Sequence, residues 1–219
     1  MINRLLTGLV CLGIFWQCSS PGDPKVQSIG LPYYSQADFT PEWFDDQAIG
    51  SAAIHTIAPF KLVNQNGDTI TESDLKGKIY VANFFFTICP TICPRMTDNL
   101  ERVMEAFEDD NSVLLVSHTV MPWIDSVATL HEFAQKRGIQ GGKWHLLTGE
   151  KTDLYTLGRE SYFADEGFGK SVTADSDFLH TENVVLVDSQ LRIRGVYNGT
   201  LQLEMSRLIE DIRRLQGET

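Results

Sequence analysis

Positive charge is in short supply in this chain: 18 Lys and Arg stand against 29 Asp and Glu, a formal net charge of −11. Binding to a nucleic-acid backbone needs clustered Lys and Arg, so no nucleic-acid partner is expected. An acidic surface keeps a protein soluble and can meet a basic partner or attract cations. Cysteine is scarce as well, with four in 219 residues. No internal repeat or low-complexity segment interrupts the chain, so nothing marks an array of repeated units. The apolar run from Leu5 to Trp16 falls short of the roughly 20 residues that cross a bilayer. What is present is a 42% hydrophobic chain of 219 residues. That suffices for one sizeable core, without room for two ordinary domains once the N-terminus is set aside.

The N-terminus has the shape of an export signal. Arg4 precedes the apolar run, and Gln17-Cys18-Ser19-Ser20-Pro21-Gly22-Asp23-Pro24 then turns polar and flexible. A cysteine at the end of such a run, followed by a Ser/Pro/Gly tether, resembles a bacterial lipoprotein signal, with Cys18 as the lipidated first residue of the mature protein. Trp16-Gln17 stands where small residues usually precede that cysteine; plain secretion and an uncleaved anchor are the alternatives. Residues 1–24 are therefore expected to be a lipoprotein-type signal and tether. The protein is expected in the bacterial cell envelope, exported, membrane-tethered and facing the periplasm. Cys11 lies within the apolar run and is lost with it, which leaves Cys89 and Cys93. A pair so close in sequence cannot staple distant segments, so a disulfide framework is excluded and local chemistry is expected.

Residues 25–53 are irregular and rich in Pro, aromatic and acidic residues. They read as an extended arm lying on the domain, with Tyr33, Tyr34, Phe39, Trp43 and Phe44 as anchors. The compact domain is expected over 54–219. FKLVNQNGDTI reads as strand, Asn-Gly-Asp turn, strand. KIYVANFFF over 78–86 is a continuous β-branched and aromatic run, the mark of a strand buried on both faces. Met96, Leu100, Val103, Met104 and Phe107 recur at helical spacing after the cysteines. SVLLVSHTV is a second buried strand, SVATLHEFAQKRG a helix stopped by Gly138, KWHLLTG a short strand and KTDLYTLGRESYF a helix. NVVLVD and RIRGVYNG form a hairpin, and EMSRLIEDIRRLQ closes the chain as a helix. This order predicts an α/β thioredoxin-like fold, with a central mixed sheet, helices on both faces and an extra N-terminal β-hairpin.

In that topology the cysteines lie where the central strand gives way to a helix. Pro90 suits a first helical turn, and Cys93, four residues after Cys89, falls on the same helix face. Both thiols at a helix N-terminus favour the thiolate. Two soft thiolates suit Cu(I), and one neutral imidazole completes a three-coordinate site. His180 precedes the first strand of the hairpin, which runs antiparallel to the cysteine strand. His118 ends the parallel neighbour and points to the same rim. His55, His131 and His145 lie elsewhere. Against these readings, a lone histidine is usually a satisfied polar residue, and a cysteine pair can be reduced core. A thiol peroxidase is disfavoured, because Phe86 stands where a threonine is needed; a closed zinc site lacks its fourth ligand.

The chain from about Ile54 to Gln216 resembles the Sco/SenC family of copper-binding thioredoxin-like proteins, associated with maturation of cytochrome c oxidase. The likeness rests on FFFTICPTICP against the family's C-P-x-x-C-P, on PFKLVNQNGDTITESDLKGKIYVANFF upstream, on Leu147-Thr148-Gly149, and on His180 before a strand ending in Leu-Val-Asp. It implies Cys89, Cys93 and His180 as ligands of copper, Cu(I) or Cu(II). It implies a metallochaperone that delivers copper to an apo-cuproprotein, the binuclear copper centre of cytochrome c oxidase. The alternative is a membrane-tethered thiol–disulfide oxidoreductase that uses Cys89 and Cys93 to keep target cysteines reduced. The chain departs from the family at Ser117-His118-Thr119-Val120-Met121-Pro122, where Asp-Pro is common, at Thr91, where the motif often holds an acid, and at Leu179, where Asp usually precedes the histidine. These departures make His118 a candidate fourth ligand or a group beside the ligands.

Overall fold

The computed structural model describes residues 30–44, 49, 53–139, 141–164, 179 and 181–218. Its centre is β5, Ile79–Phe85, every residue of which is buried. Alternation along the strand sends Ile79, Val81 and Phe85 into one apolar layer and Tyr80, Ala82 and Phe84 into the other. That is why the run is continuously apolar: both faces are covered. β6, Val113–Thr119, lies parallel to it with Phe84 opposite His118. β7, Trp144–Thr148, extends the parallel set.

Beyond β7, the hairpin of β3 (Lys61–Asn64) and β4 (Thr69–Thr71) turns at Gly67, whose φ of 86° a glycine adopts without strain. On the other side, β8 (Asn183–Val187) runs antiparallel to β5 and pairs with β9 (Ile193–Asn198). The seven-stranded mixed sheet thus has the order β4-β3-β7-β6-β5-β8-β9. This is the thioredoxin-like fold the element order predicts, with the N-terminal hairpin at one edge.

Helices cover both faces. A single turn, α1 (Glu72–Leu75), follows β4. On one face lie α2 (Ile92–Glu105), α3 (Val127–Arg137) and the C-terminal α5 (Gln202–Glu218), whose Leu100, Leu130 and Leu208 are fully buried. Gly138 stops α3 in the left-handed region, as its place in the sequence implies. The other face is covered by α4 (Lys151–Thr156) and the segment after it.

Two expectations change. The helix read over KTDLYTLGRESYF stays α-helical only to Thr156 and then widens into a π-turn, Leu157–Ser161. The aromatic arm is not simply extended: β1 (Tyr33–Tyr34) and β2 (Pro41–Glu42) pair as a separate two-stranded sheet. Tyr33 anchors it beneath the Arg194 guanidinium at 4.1 Å, and Phe39 packs edge-on to Phe163. Trp43 is no anchor, being 56% exposed.

Candidate metal and thiol centre

The carboxyl ends of the parallel strands and the start of β8 meet at one rim of the sheet, because β8 is antiparallel to β5 and Val184 lies opposite Asn83. The chain leaves β5 at Phe85 and turns at once, with the Cys89 N–H donating to the Phe86 carbonyl at 3.3 Å. Helix α2 does not start until Ile92, with Thr91 as its N-cap. Cys93 is therefore helical and Cys89 is not, contrary to the shared helix face read from the four-residue spacing. The cause is Pro90, since a residue before proline is pushed out of the α region.

The two cysteines nevertheless meet. Thr91 makes no side-chain capping bond, so the N–H groups of the first turn of α2 need another acceptor. The Cys93 N–H finds the Cys89 sulfur at 3.3 Å. Cys89 thus caps the helix on which Cys93 rides. Both thiols are free; Cys89 is half-buried and Cys93 is 7% exposed.

Their acidities part in opposite directions. Burial pushes the Cys89 thiol up, but the N–H groups of Cys93, Thr91 and Ile92 and the Cys93 side chain outweigh it and hold the pKa below the ordinary value. Burial pushes Cys93 up to about 12, and its hydrogen bond to Cys89 adds to the shift. Cys89 is the more acidic thiol of the pair, and burial holds the proton on Cys93.

Both sulfurs line a small cleft of about 20 Å³, shared with Phe84, Phe86, Val120, Leu179 and Thr181. That is room for roughly one water-sized particle. His180 lies outside the described residues, as does Cys18. Its two chain neighbours, Leu179 and Thr181, both line the cysteine cleft. Among the described residues, no group of three or more His, Cys, Asp or Glu side chains gathers as a metal-ligating cluster.

His118 does not join the cysteines. It is on the opposite sheet face, fully buried, stacked on Phe84 with ring centroids 5.1 Å apart and packed beside Tyr162 at 5.2 Å. Among the described residues, neither ring nitrogen has a hydrogen-bond partner of good geometry. Burial drives its pKa down to about 4, against a weaker opposing pull from the Asn83 backbone. The Phe84 ring on which it stacks also lines the cysteine cleft. The other histidines make local contacts: His55 to the Ser161 carbonyl at 2.8 Å, His131 to the Gln65 carbonyl at 3.2 Å, and His145 to Asn64 at 3.4 Å.

Sequence reasoning passed over Asp125. It directly precedes Ser126, the N-cap of α3, which accepts from the Thr129 N–H at 3.2 Å. The Asp125 carboxylate is fully buried and accepts from the Thr87 N–H at 3.3 Å, from the Thr87 hydroxyl and from the Thr119 hydroxyl. It joins the loop after β6 to the loop that carries Cys89.

The profile of the SCO1/SenC family matches residues 50–217 of this chain. The chain belongs to the SCO1/SenC family. A SCO1/SenC family lipoprotein from Bacillus anthracis superposes with a TM-score of 0.63 at 29% identity, over 74% of this chain and 95% of that one. BsSco, described as a Sco-family cytochrome c oxidase assembly protein with a disulfide switch, superposes with a TM-score of 0.63 at 26% identity, over 75% and 95%. Bradyrhizobium japonicum ScoI, solved with copper bound, superposes with a TM-score of 0.57 at 26% identity, over 73% and 99%. Among the described residues of this SCO1/SenC chain, no helix is long and apolar enough to cross a membrane.

Proposed function

We propose that this protein is a copper-binding metallochaperone that holds copper at Cys89, Cys93 and His180 and passes it to an apo-cuproprotein, the binuclear copper centre of a cytochrome c oxidase. The observation that carries the reading is the cleft itself: two sulfurs meet there at a helix N-terminus, and both chain neighbours of His180 line it. The donor chemistry fits the cargo, since thiolates select Cu(I) and an imidazole tolerates both oxidation states. Copper would replace the proton that burial keeps on Cys93, because a metal is a stronger local charge than the N–H groups that already favour the Cys89 thiolate. A site of two sulfurs and one imidazole leaves room for an incoming ligand to add before one departs, which is what transfer requires. The relatives described as copper-bound and as oxidase assembly proteins support the cargo and the recipient.

The asymmetry of the thiols favours a second activity at the same pair. An accessible low-pKa Cys89 can attack a target disulfide, and Cys93 can then close on it to release the reduced target. The relative described by its disulfide switch supports this reading. His118 stays outside both activities except as packing beneath Phe84.

In this proposal residues 1–24 are a lipoprotein-type signal and tether with Cys18 as the lipidated residue, 25–53 the arm and 54–219 the working domain, held at the periplasmic membrane surface. Cys18→Ser should move the protein from the membrane fraction to the soluble one; an unchanged distribution would sink lipidation at Cys18.

The test of the copper site is a Cu(I) titration of the reduced protein against a competing chelator, with a His180→Ala variant alongside. Tight one-to-one binding that weakens by about a hundredfold or more without His180 is expected. Equal affinity in the two proteins would remove His180 from the site.

A further inference from the structure

Asp125 is a fully buried carboxylate whose partners among the described residues are all neutral: Thr87 twice and Thr119 once. A buried charge without a cation is costly unless hydrogen bonds replace its water, and here three donors do so. Two of those donors belong to one residue, and that residue is the second position of the Phe86–Cys89 turn. A core carboxylate that only joined strands would have no need of this loop.

The restraint can be followed atom by atom. Thr119 ends β6 and, besides donating to Asp125, accepts the Met121 N–H at 3.0 Å. The carboxylate is thus tied to the rigid parallel pair, where the Val120 N–H also reaches the Phe85 carbonyl at 2.9 Å. From that base it grips the backbone N–H and the hydroxyl of Thr87, which fixes the turn that closes on Cys89. On its far side Cys89 meets the N-terminus of α2 through sulfur. The Cys89 thiol therefore hangs between two supports, a helix end and a turn, and Asp125 holds the turn.

We propose that Asp125 is a positioning residue for the cysteine pair: through Thr87 it holds the Cys89 loop in the open dithiol arrangement that presents both sulfurs to the cleft. The inference deepens the copper and thiol reading and rests on it for its purpose. The clamp itself is a statement about the dithiol state, so it can be tested without metal.

The experiment compares wild type with Thr87→Val, Thr87→Ser and Asp125→Asn in two readouts. The first is the dithiol–disulfide equilibrium of Cys89 and Cys93 in glutathione buffers, where each protein disulfide formed consumes one glutathione disulfide and releases two glutathione thiols. The second is Cu(I) affinity against a chelator. Thr87→Val and Asp125→Asn should shift the equilibrium about tenfold towards the disulfide and weaken Cu(I) about tenfold, the scale of one charge-assisted hydrogen bond. Thr87→Ser keeps both donors and should stay within about twofold of wild type. A clamp that served stability alone would lower the denaturation midpoint of Thr87→Val without moving either readout, and that result overturns the proposal. So does a Thr87→Ser shift as large as that of Thr87→Val. If Asp125→Asn does not fold, the Thr87 pair decides. If wild type fails to bind Cu(I), the copper reading falls, and the glutathione equilibrium alone decides on the clamp.

Discussion

At the residue scale, the two cysteines and His118 illustrate one rule: burial decides protonation unless specific donors outweigh it. In Cys89 the amides of the first turn of α2 outweigh burial, whereas in Cys93 and His118 burial outweighs the opposing backbone contacts of Phe86 and Asn83. His118 consequently makes stability depend on pH. Its folded pKa of about 4 lies below the ordinary 6.5, so the unfolded chain binds more protons between those values. Stability is then full above about pH 6.5 and is lost as pH falls towards 4, by up to about 3 kcal/mol. His118→Leu should remove this slope. It should leave stability at pH 7 equal or higher, because two ring nitrogens without a hydrogen-bond partner among the described residues leave the core. Urea denaturation at pH 4.5 and pH 7 checks both; an undiminished acid loss in the variant would assign the slope to other groups.

At the element scale, the π-turn Leu157–Ser161 shapes the floor under the cleft. It brings Gly158 so close to the rim that a Cβ there would lie 2.6 Å from Leu179 Cδ1 and 3.0 Å from the Phe84 ring. Both neighbours also line the cysteine cleft. Gly158→Ala should therefore destabilise the protein by about 1–3 kcal/mol through overpacking. Gly217→Ala is the matched control: nothing lies within 4 Å of its Cβ position, and it sits in α5. It should stabilise by up to about 1 kcal/mol, since alanine loses less entropy in a helix. Parallel denaturation curves test the pair. Equal midpoints for the two variants would mean that the wall around Gly158 yields freely.

At the scale of the whole molecule, Arg194 ties three remote pieces together. It is 4% exposed, pairs with Asp188 at 3.2 Å and with Glu218 at 2.9 Å, and donates to the Leu31 carbonyl at 2.7 Å. It also covers the Tyr33 ring. The arm, the β8–β9 hairpin and the end of α5 thus share one guanidinium. Arg194→Met leaves Asp188 buried with only Arg192 beside it and should cost about 3–5 kcal/mol. The backbone amides of Leu31, Tyr33 and Tyr34 should lose hydrogen-exchange protection with it, Leu31 first, because its N–H donates to Glu218. Protection equal to wild type at those amides would show that the aromatic contacts hold the arm unaided.

What the sequence by itself determined is what short-range chemistry decides. The strand Ile79–Phe85 follows from its unbroken apolar run, the end of α3 from Gly138, and the hairpin turn from Asn66-Gly67-Asp68. The two cysteines stand out because their spacing and setting are local facts, although the shared helix face read from Pro90 and that spacing gave way to a helix that begins only at Ile92. Only the tertiary structure decided the rest. A strand residue faces one layer or the other according to register and parity, so His118 turned towards Phe84 and Tyr162 and away from the cysteines. Asp125 meets Thr87 across 38 residues, and Arg194 meets Leu31 across 163. Contacts of that span leave no periodicity in the chain: a buried carboxylate or guanidinium takes its meaning from donors and acceptors that only the folded sheet brings within reach.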